Sequence, residues 1–210
     1  MSPPRRVYVY GAQGHGKVVA ELLTAAGDEV VGFIDDGLPA GTPTLHSQVV
    51  GGFAALRDSP GALVALGIGA NQVRERIALR LLEAGHQLAT VLAPSAIISP
   101  SASIGAGTVA MAGVVVNAEA RVGRGVILNT GSIVEHECVV SDFAHLSPCA
   151  VLGGQARVGR RTHIGLNASV IHLGSVGDDV TVGAGACVVR PVDSGQTVVG
   201  VPARPIVKRT

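Results

Sequence analysis

Residues 121–146 read RVGRGVILNTGSIVEHECVVSDFAHL, and every sixth position, Val122, Leu128, Val134, Val140 and Leu146, is a branched aliphatic. The series extends without interruption back through Val116, Ala110 and Ile104 to Ile98. Forward, it runs through Leu152, Val158, Ile164, Val170, Val176 and Val182 to Val188. Four places after each of these stands a small residue or Val, as at Ala120, Ser132, Cys138, Ala144, Ala150 and Ala168. A fixed internal period of six is the signature of a parallel β-helix. Three hexads make one coil of a three-sided prism, so the run builds slightly more than five coils, roughly 25 Å tall at about 4.8 Å per coil. Backbone hydrogen bonds then pass from each coil to the ones above and below.

The composition follows from that interior. Of 210 residues, 47% are hydrophobic but only 2% aromatic, with no Trp and 29 Gly. A column filled by one aliphatic and one small residue per face is too narrow for rings. The scarcity of rings also argues against base stacking, and a net charge of +1 lacks the basic footprint of a phosphate-backbone binder. Mean hydropathy is +0.44, yet the longest apolar runs, such as VAMAGVVV at 109–116, fall well short of the ~18 residues of a spanning helix. No membrane association is expected. The start MSPPRRVYVYGAQG has no apolar signal region, so cytoplasmic residence is the expectation. Cys138, Cys149 and Cys187 form neither a disulfide framework nor a zinc motif and read as reduced thiols.

Residues 1–94 are organised differently. RRVYVYGA (5–12) reads as a buried strand, and GAQGHG leads into a helix with Val18, Leu22 and Ala25 on one face. Gly27 closes that helix. Further strands are read at 29–35, 62–69 and 87–92, with an amphipathic helix over 71–85. Strands alternating with helices predict a parallel sheet, here about half of a dinucleotide-binding fold. The predicted organisation is therefore mixed: a small half-Rossmann α/β domain over 1–94, then a β-helix domain over 95–210 that ends in a tail containing Arg204, Pro205, Lys208 and Arg209.

Four segments together, VYGAQGHGKVVAELL, the pair Asp35–Asp36, VVVNAEARVGRGVILNTGSIVEHECVVSDFAHLSP and VVGVPAR, resemble the hexapeptide-repeat family of bacterial sugar N- and O-acetyltransferases. That family includes the bacillosamine-pathway UDP-4-amino-sugar N-acetyltransferase and sialic acid O-acetyltransferases. The resemblance implies a left-handed β-helix, a homotrimer with acetyl-CoA in grooves between neighbouring prisms, and a nucleotide-linked amino sugar held by the N-terminal domain. Flat prism faces would favour that association. Phe143, three residues after Val140, is expected to point outward and to support it.

Acetyl transfer needs a base for the nucleophile's proton and a donor for the developing oxyanion. His136 occupies an outward position two residues after Val134, between Glu135 and Glu137. A neighbouring carboxylate favours the imidazolium and so strengthens the base. Gly154 lies 18 residues later, one coil above, where its N–H could meet an oxyanion; the competing explanation is a corner glycine that needs positive φ. The resemblance makes His136 the base and Glu137 its tuning acid, and has Gly154 bind the acetyl carbonyl. It makes His145, Leu166 and Ala184 contacts to acetyl-CoA. His163 stacks one coil above His145 and has no role in that pattern. Cys138 takes a small inward position, so a buried structural thiol is expected and transfer is direct, without an acetyl-enzyme.

In the N-terminal half the turn GAQGHG joins strand to helix, where free N–H groups and the helix dipole favour phosphate, although its GxxGxG pattern differs from the dinucleotide fingerprint. The resemblance assigns Gln13, Gly14 and His15 at the turn, Asp35 and Asp36 after the second strand, and Gly69 and Asn71 after the third to the nucleotide sugar. Other readings are a sugar O-acetyltransferase, a nicotinamide-dependent enzyme, a non-catalytic scaffold, or a metal enzyme like the gamma-class carbonic anhydrases. No metal is expected, because no two of His136, His145, His163 and His172 are five residues apart. His136 and His172 stand two coils apart, about 10 Å, too far for one zinc.

Overall fold

The hexads fold into the parallel β-helix that the period requires, built from two-residue strands, and its hand is left, as the resemblance implies. The computed structural model describes residues 3–45 and 47–206; Lys208 and Arg209 of the tail lie outside them. Partners are 18 residues apart, as in the ladder Arg121↔Val139↔Arg157↔Ser175 and the pairs His145↔His163 and Ile133↔Val151, until the last coil, where Thr181↔Thr197 and Val176↔Val192 are 16 apart. The result is three flat sheets. The outward residues of the first face are Ile97, Val115, Ile133, Val151, Ser169 and Cys187; those of the second begin Ser103, Arg121, Val139; those of the third include Ile127, His145 and His163. Inside, the aliphatic at each hexad start and the small residue four places on are buried, from Ala110 and Val114 to Ala186 and Val188.

The corners use a conformation that L-residues avoid. The third residue after each aliphatic has positive φ from Gly107 to Gly185, and nine of these are not glycine, Glu137 (58°) and Gln155 (61°) among them. Left-handed backbone costs a non-glycine residue roughly 1–2 kcal/mol. Regular inter-coil bonds offset it: the Glu137 N–H donates to Ala118 O at 2.9 Å and the Gln155 N–H to His136 O at 2.9 Å.

Phe143 corrects an expectation. It is fully buried rather than outward. It takes the left-handed corner position (φ 59°) above Gly125, and a Cβ on Gly125 would lie 2.4 Å from its ring. The ring fills the space that glycine leaves, so it offers nothing to a partner.

The chain divides into two compact units, Met1–Pro94 and Ser95–Thr210. The first contains β1 (Arg6–Tyr10), α1 (Gly14–Ala25), β2 (Glu29–Ile34), β3 (Pro43–Thr44), β4 (Ser47–Gly51), a 3-10 helix (Phe53–Asp58), β5 (Leu63–Leu66), α2 (Asn71–Glu83) and β6 (Gln87–Leu88). Their sheet order is β3-β4-β2-β1-β5-β6, parallel except for the β3–β4 hairpin. Three details differ from the sequence reading. The strand expected over 87–92 breaks after Leu88, where Ala89 N–H turns to Val64 O, and resumes at Val91–Leu92 as β7. The β3–β4 hairpin and the 3-10 helix are additional elements whose sequences carry no strong periodicity. Helix α1 buries Gly16, Val19, Ala20 and Leu23, leaving Val18 exposed.

That last rotation has a steric cause. A Cβ on Gly16 would lie 1.8 Å from Gly11 O, so only glycine lets α1 approach the end of β1 so closely. Gly16 therefore sets which face of the helix turns inward. Connections from β1 and β5, which are neighbours, leave in opposite directions, α1 leading to β2 and α2 to β6. In open parallel sheets, ligands bind in the crevice at the strand carboxyl ends at such a switch point.

Candidate active site

His136 stands exposed at the corner between the first and second prism faces. Its Nδ1 lies 3.1 Å from Glu137 Oε2, which also accepts from Gln155 Nε2 at 2.9 Å. Glu137 and Gln155 share the left-handed corner column, and this stacking carries the carboxylate to the imidazole. Hydrogen bonds from Gln155 and then His136 hold the Glu137 carboxyl below the usual carboxylate range. With Nδ1 donating to Glu137, the lone pair of Nε2 is left for an incoming proton.

Nε2 points at Gly154. A Cβ on that glycine would lie 2.5 Å from Nε2 and 2.7 Å from Cε1. Gly154 is not among the positive-φ residues; the corner conformation belongs to Gln155. The backbone-conformation explanation for this glycine therefore fails, and the imidazole itself is what requires it. No hydrogen bond from the Gly154 N–H occurs among the described residues. Cys138 is fully buried, its thiol donating to Gly153 O at 3.2 Å, and burial raises its pKa. It is not placed to act as a nucleophile.

His145 lies on the third face, stacked on His163 with ring centroids 4.8 Å apart and planes 8° from parallel. Asn129 Nδ2 is 3.2 Å from His145 Nε2, and Ser147 Oγ is 2.6 Å from His163 Nε2. Asn129 escapes a sequence reading because nothing but its register, two residues after Ile127, brings it to His145. Leu166, 56% exposed, and Ala184 stack at the corner between the third and first faces. The first face thus separates His136 from Leu166, Ala184 and His145 within one chain. Among the described residues no three His, Cys, Asp or Glu side chains converge as a metal site requires.

The N-terminal residues collect at the β1–β5 crevice. Gln13 is the N-cap of α1, with Gly14 and His15 in its first turn. Among the described residues His15 Nε2 is buried without a hydrogen-bond partner, and burial, aided by the Arg74 cation, lowers its pKa to about 4. Gly69 lies in the loop after β5 and Asn71 begins α2. Gly14 and Gly69 have open space where a Cβ would project. Both aspartates are already engaged. Asp35 accepts from the N–H groups of Ala12 (2.9 Å) and Gly37 (2.9 Å). Asp36 accepts from Tyr10 Oη (2.5 Å) and Phe53 N–H (2.8 Å). Burial pushes Asp36 up, but the Tyr10 and Phe53 hydrogen bonds and Arg80 outweigh it, and its pKa falls below the ordinary value. A carboxylate oxygen has a second lone pair, so these bonds orient the acids while leaving acceptor capacity. Arg80, 3.7 Å above the Phe53 ring, completes a cluster that has no sequence signal.

Residues 6–81 match the PglD N-terminal domain. A histidine-to-asparagine variant of the perosamine N-acetyltransferase of Caulobacter crescentus, solved with CoA and GDP-perosamine, is 35% identical with a TM-score of 0.92, covering 96% of this chain and 97% of that one. This chain belongs to the hexapeptide-repeat sugar N-acetyltransferases. The acetyltransferase domain of PglB from Neisseria gonorrhoeae FA1090, solved with acetyl coenzyme A, is 37% identical with a TM-score of 0.91, covering 97% and 100%. The UDP-N-acetylbacillosamine N-acetyltransferase of Bacillus subtilis (strain 168) is 39% identical over 112 residues, which span 51% of this chain and about half, 52%, of that relative. Among the described residues no helix of this family member is long and apolar enough to cross a membrane.

Proposed function

We propose that the chain transfers the acetyl group of acetyl-CoA to the 4-amino group of a nucleotide-linked amino-deoxy sugar. The observation that carries this reading is the fit of the His136 imidazole against Gly154, with Nδ1 held by Glu137. His136 Nε2 takes a proton from the amine as its nitrogen attacks the thioester carbon. The Gly154 N–H donates to the carbonyl oxygen as it gains charge. That attack forms the C–N bond; collapse then restores the carbonyl and breaks the C–S bond, leaving the amide, and the proton on His136 passes to the departing CoA thiolate. Glu137 fixes the orientation of the imidazole through Nδ1.

His145, Asn129, Leu166 and Ala184 are assigned to acetyl-CoA. Because the first face separates them from His136, one complete site takes His136 from one subunit and the CoA contacts from another. A homotrimer supplies that arrangement, and the apolar outward residues Ile97, Val115, Ile133 and Val151 suit the first face to association. Gln13, Gly14, His15, Asp35, Asp36, Gly69 and Asn71 are assigned to the nucleotide sugar. The relatives' amino-sugar substrates favour an amine acceptor over the hydroxyl of an O-acetyltransferase. Steady-state kinetics of His136→Ala test the reading: kcat should fall by about 10²–10⁴, the contribution of a general base, with affinity for CoA unchanged. Retention of most activity would remove His136 from the chemistry.

A further inference from the structure

The loop between β5 and α2 is held at both ends. At its start three glycines interlock: a Cβ on Gly67 would lie 2.7 Å from Gly16 Cα and 2.9 Å from Gly11 O. At its end stands Arg74, 1% exposed. Helical side chains tilt toward the N-terminus, so the guanidinium reaches back over the first turn of α2. Its Nη1 donates to Ile68 O at 3.1 Å and to Gly69 O at 3.0 Å, and Nη2 donates to Asn71 Oδ1 at 2.9 Å.

This arrangement is costly for a residue that only packs. Burial pulls the Arg74 pKa down to about 9, and a cation beside a helix N-terminus opposes the helix dipole. An apolar residue would extend the buried stripe Ile77, Ala78 and Leu81 without either penalty. What the guanidinium adds is geometry. A planar fork can hold several acceptors in one fixed arrangement, which an ammonium cannot. Two of these acceptors belong to Gly69 and Asn71, and Gly69 faces open space.

We propose that Arg74 is the positioning residue of the nucleotide-sugar crevice, clamping the 68–71 loop so that the Gly69 backbone and the Asn71 amide are set for the substrate before it arrives. This rests on the assignment of that crevice to a nucleotide sugar. Arg74 acts through Asn71 and touches no reacting atom.

The test is a double-mutant cycle on the full chain, read by calorimetry and steady-state kinetics with UDP-, GDP- and dTDP-linked 4-amino sugars. Arg74→Met should raise Kd and KM for the nucleotide sugar about tenfold or more, the loss of one well-oriented interaction, with KM for acetyl-CoA unchanged. Arg74→Lys should recover only part of the loss. The double variant Arg74→Met with Asn71→Ala should bind no worse than the weaker single variant, because residues that act as one unit are not additive. Additive losses, or a folded Arg74→Met with wild-type affinity and a lower Tm alone, would overturn the inference. If Arg74→Met does not fold, Arg74→Lys and Arg74→Gln carry the same cycle. A wild-type chain that binds none of the sugars overturns the crevice assignment and Arg74's role with it. Wild-type binding with an unaffected Arg74 variant overturns the role alone.

Discussion

An imidazole that accepts a proton must keep one nitrogen bare and the other fixed, and His136 meets both conditions with neighbours drawn from two coils. Glu137 holds Nδ1 while Gly154, one coil above, leaves room for Nε2. The hexad register makes this pairing legible, since 18 residues separate the two. The reason for the glycine is not legible, because its φ, known only from the folded chain, excludes the turn explanation. Gly154→Ala separates the two causes. Its backbone tolerates an L-residue, yet the new Cβ would meet Nε2 at 2.5 Å and push the imidazole aside. Thermal unfolding should stay near wild type while kcat falls by about 10²-fold, the effect of a misplacement of roughly 1 Å. A large drop in Tm with normal kcat would return Gly154 to a purely structural part. Phe143 marks the limit of inside-outside counting: three residues after an aliphatic predicts a direction, but the left-handed corner and Gly125 beneath it bury the ring.

At the scale of elements, the β1–α1 turn shows two glycines doing opposite things within three residues. Gly16 is required by packing, since a methyl group there would project to 1.8 Å from Gly11 O, whereas Gly14 has open space around it. Gly16→Ala should therefore lower stability by several kcal/mol, as overpacked sites do, and loosen the crevice. Gly14→Ala should raise stability by about 0.5–1 kcal/mol through helix propensity, while weakening nucleotide-sugar binding if the backbone there is approached closely by ligand. Chemical denaturation paired with calorimetry reads both; a Gly14→Ala variant that binds normally would release the turn from the site. Sequence periodicity locates α1 but turns it to the wrong face, because Val18, Leu22 and Ala25 satisfy a helical spacing as well as Gly16, Val19, Ala20 and Leu23 do. Close approach of one glycine decides between them, and composition carries no record of that contact. The β3–β4 hairpin is hidden for a related reason: Pro43–Thr44 is too short to show alternation.

For the whole molecule, the prism turns a one-dimensional repeat into an addressed surface. Its interior is uniform, so chemistry is confined to corners and outward positions, and the order of faces separates His136 from His145 on the same chain. An assembly that joins corners of neighbouring subunits then follows from the proposed chemistry. Mixing His136→Ala with His145→Ala subunits, each inactive alone, should restore roughly a quarter of the wild-type sites in a randomly assembled symmetric trimer. Absence of any recovery after verified subunit exchange would place both histidines' functions within one chain. Whether an amino sugar on a nucleotide receives the acetyl group is decided by incubating the chain with acetyl-CoA and a panel of UDP-, GDP- and dTDP-linked 4-amino sugars and following the products by mass spectrometry. Stoichiometric CoA release is expected, with one acetyl group added as an amide at the sugar's 4-nitrogen. Acetylation found only on a hydroxyl, or no product from any member of the panel, would contradict it.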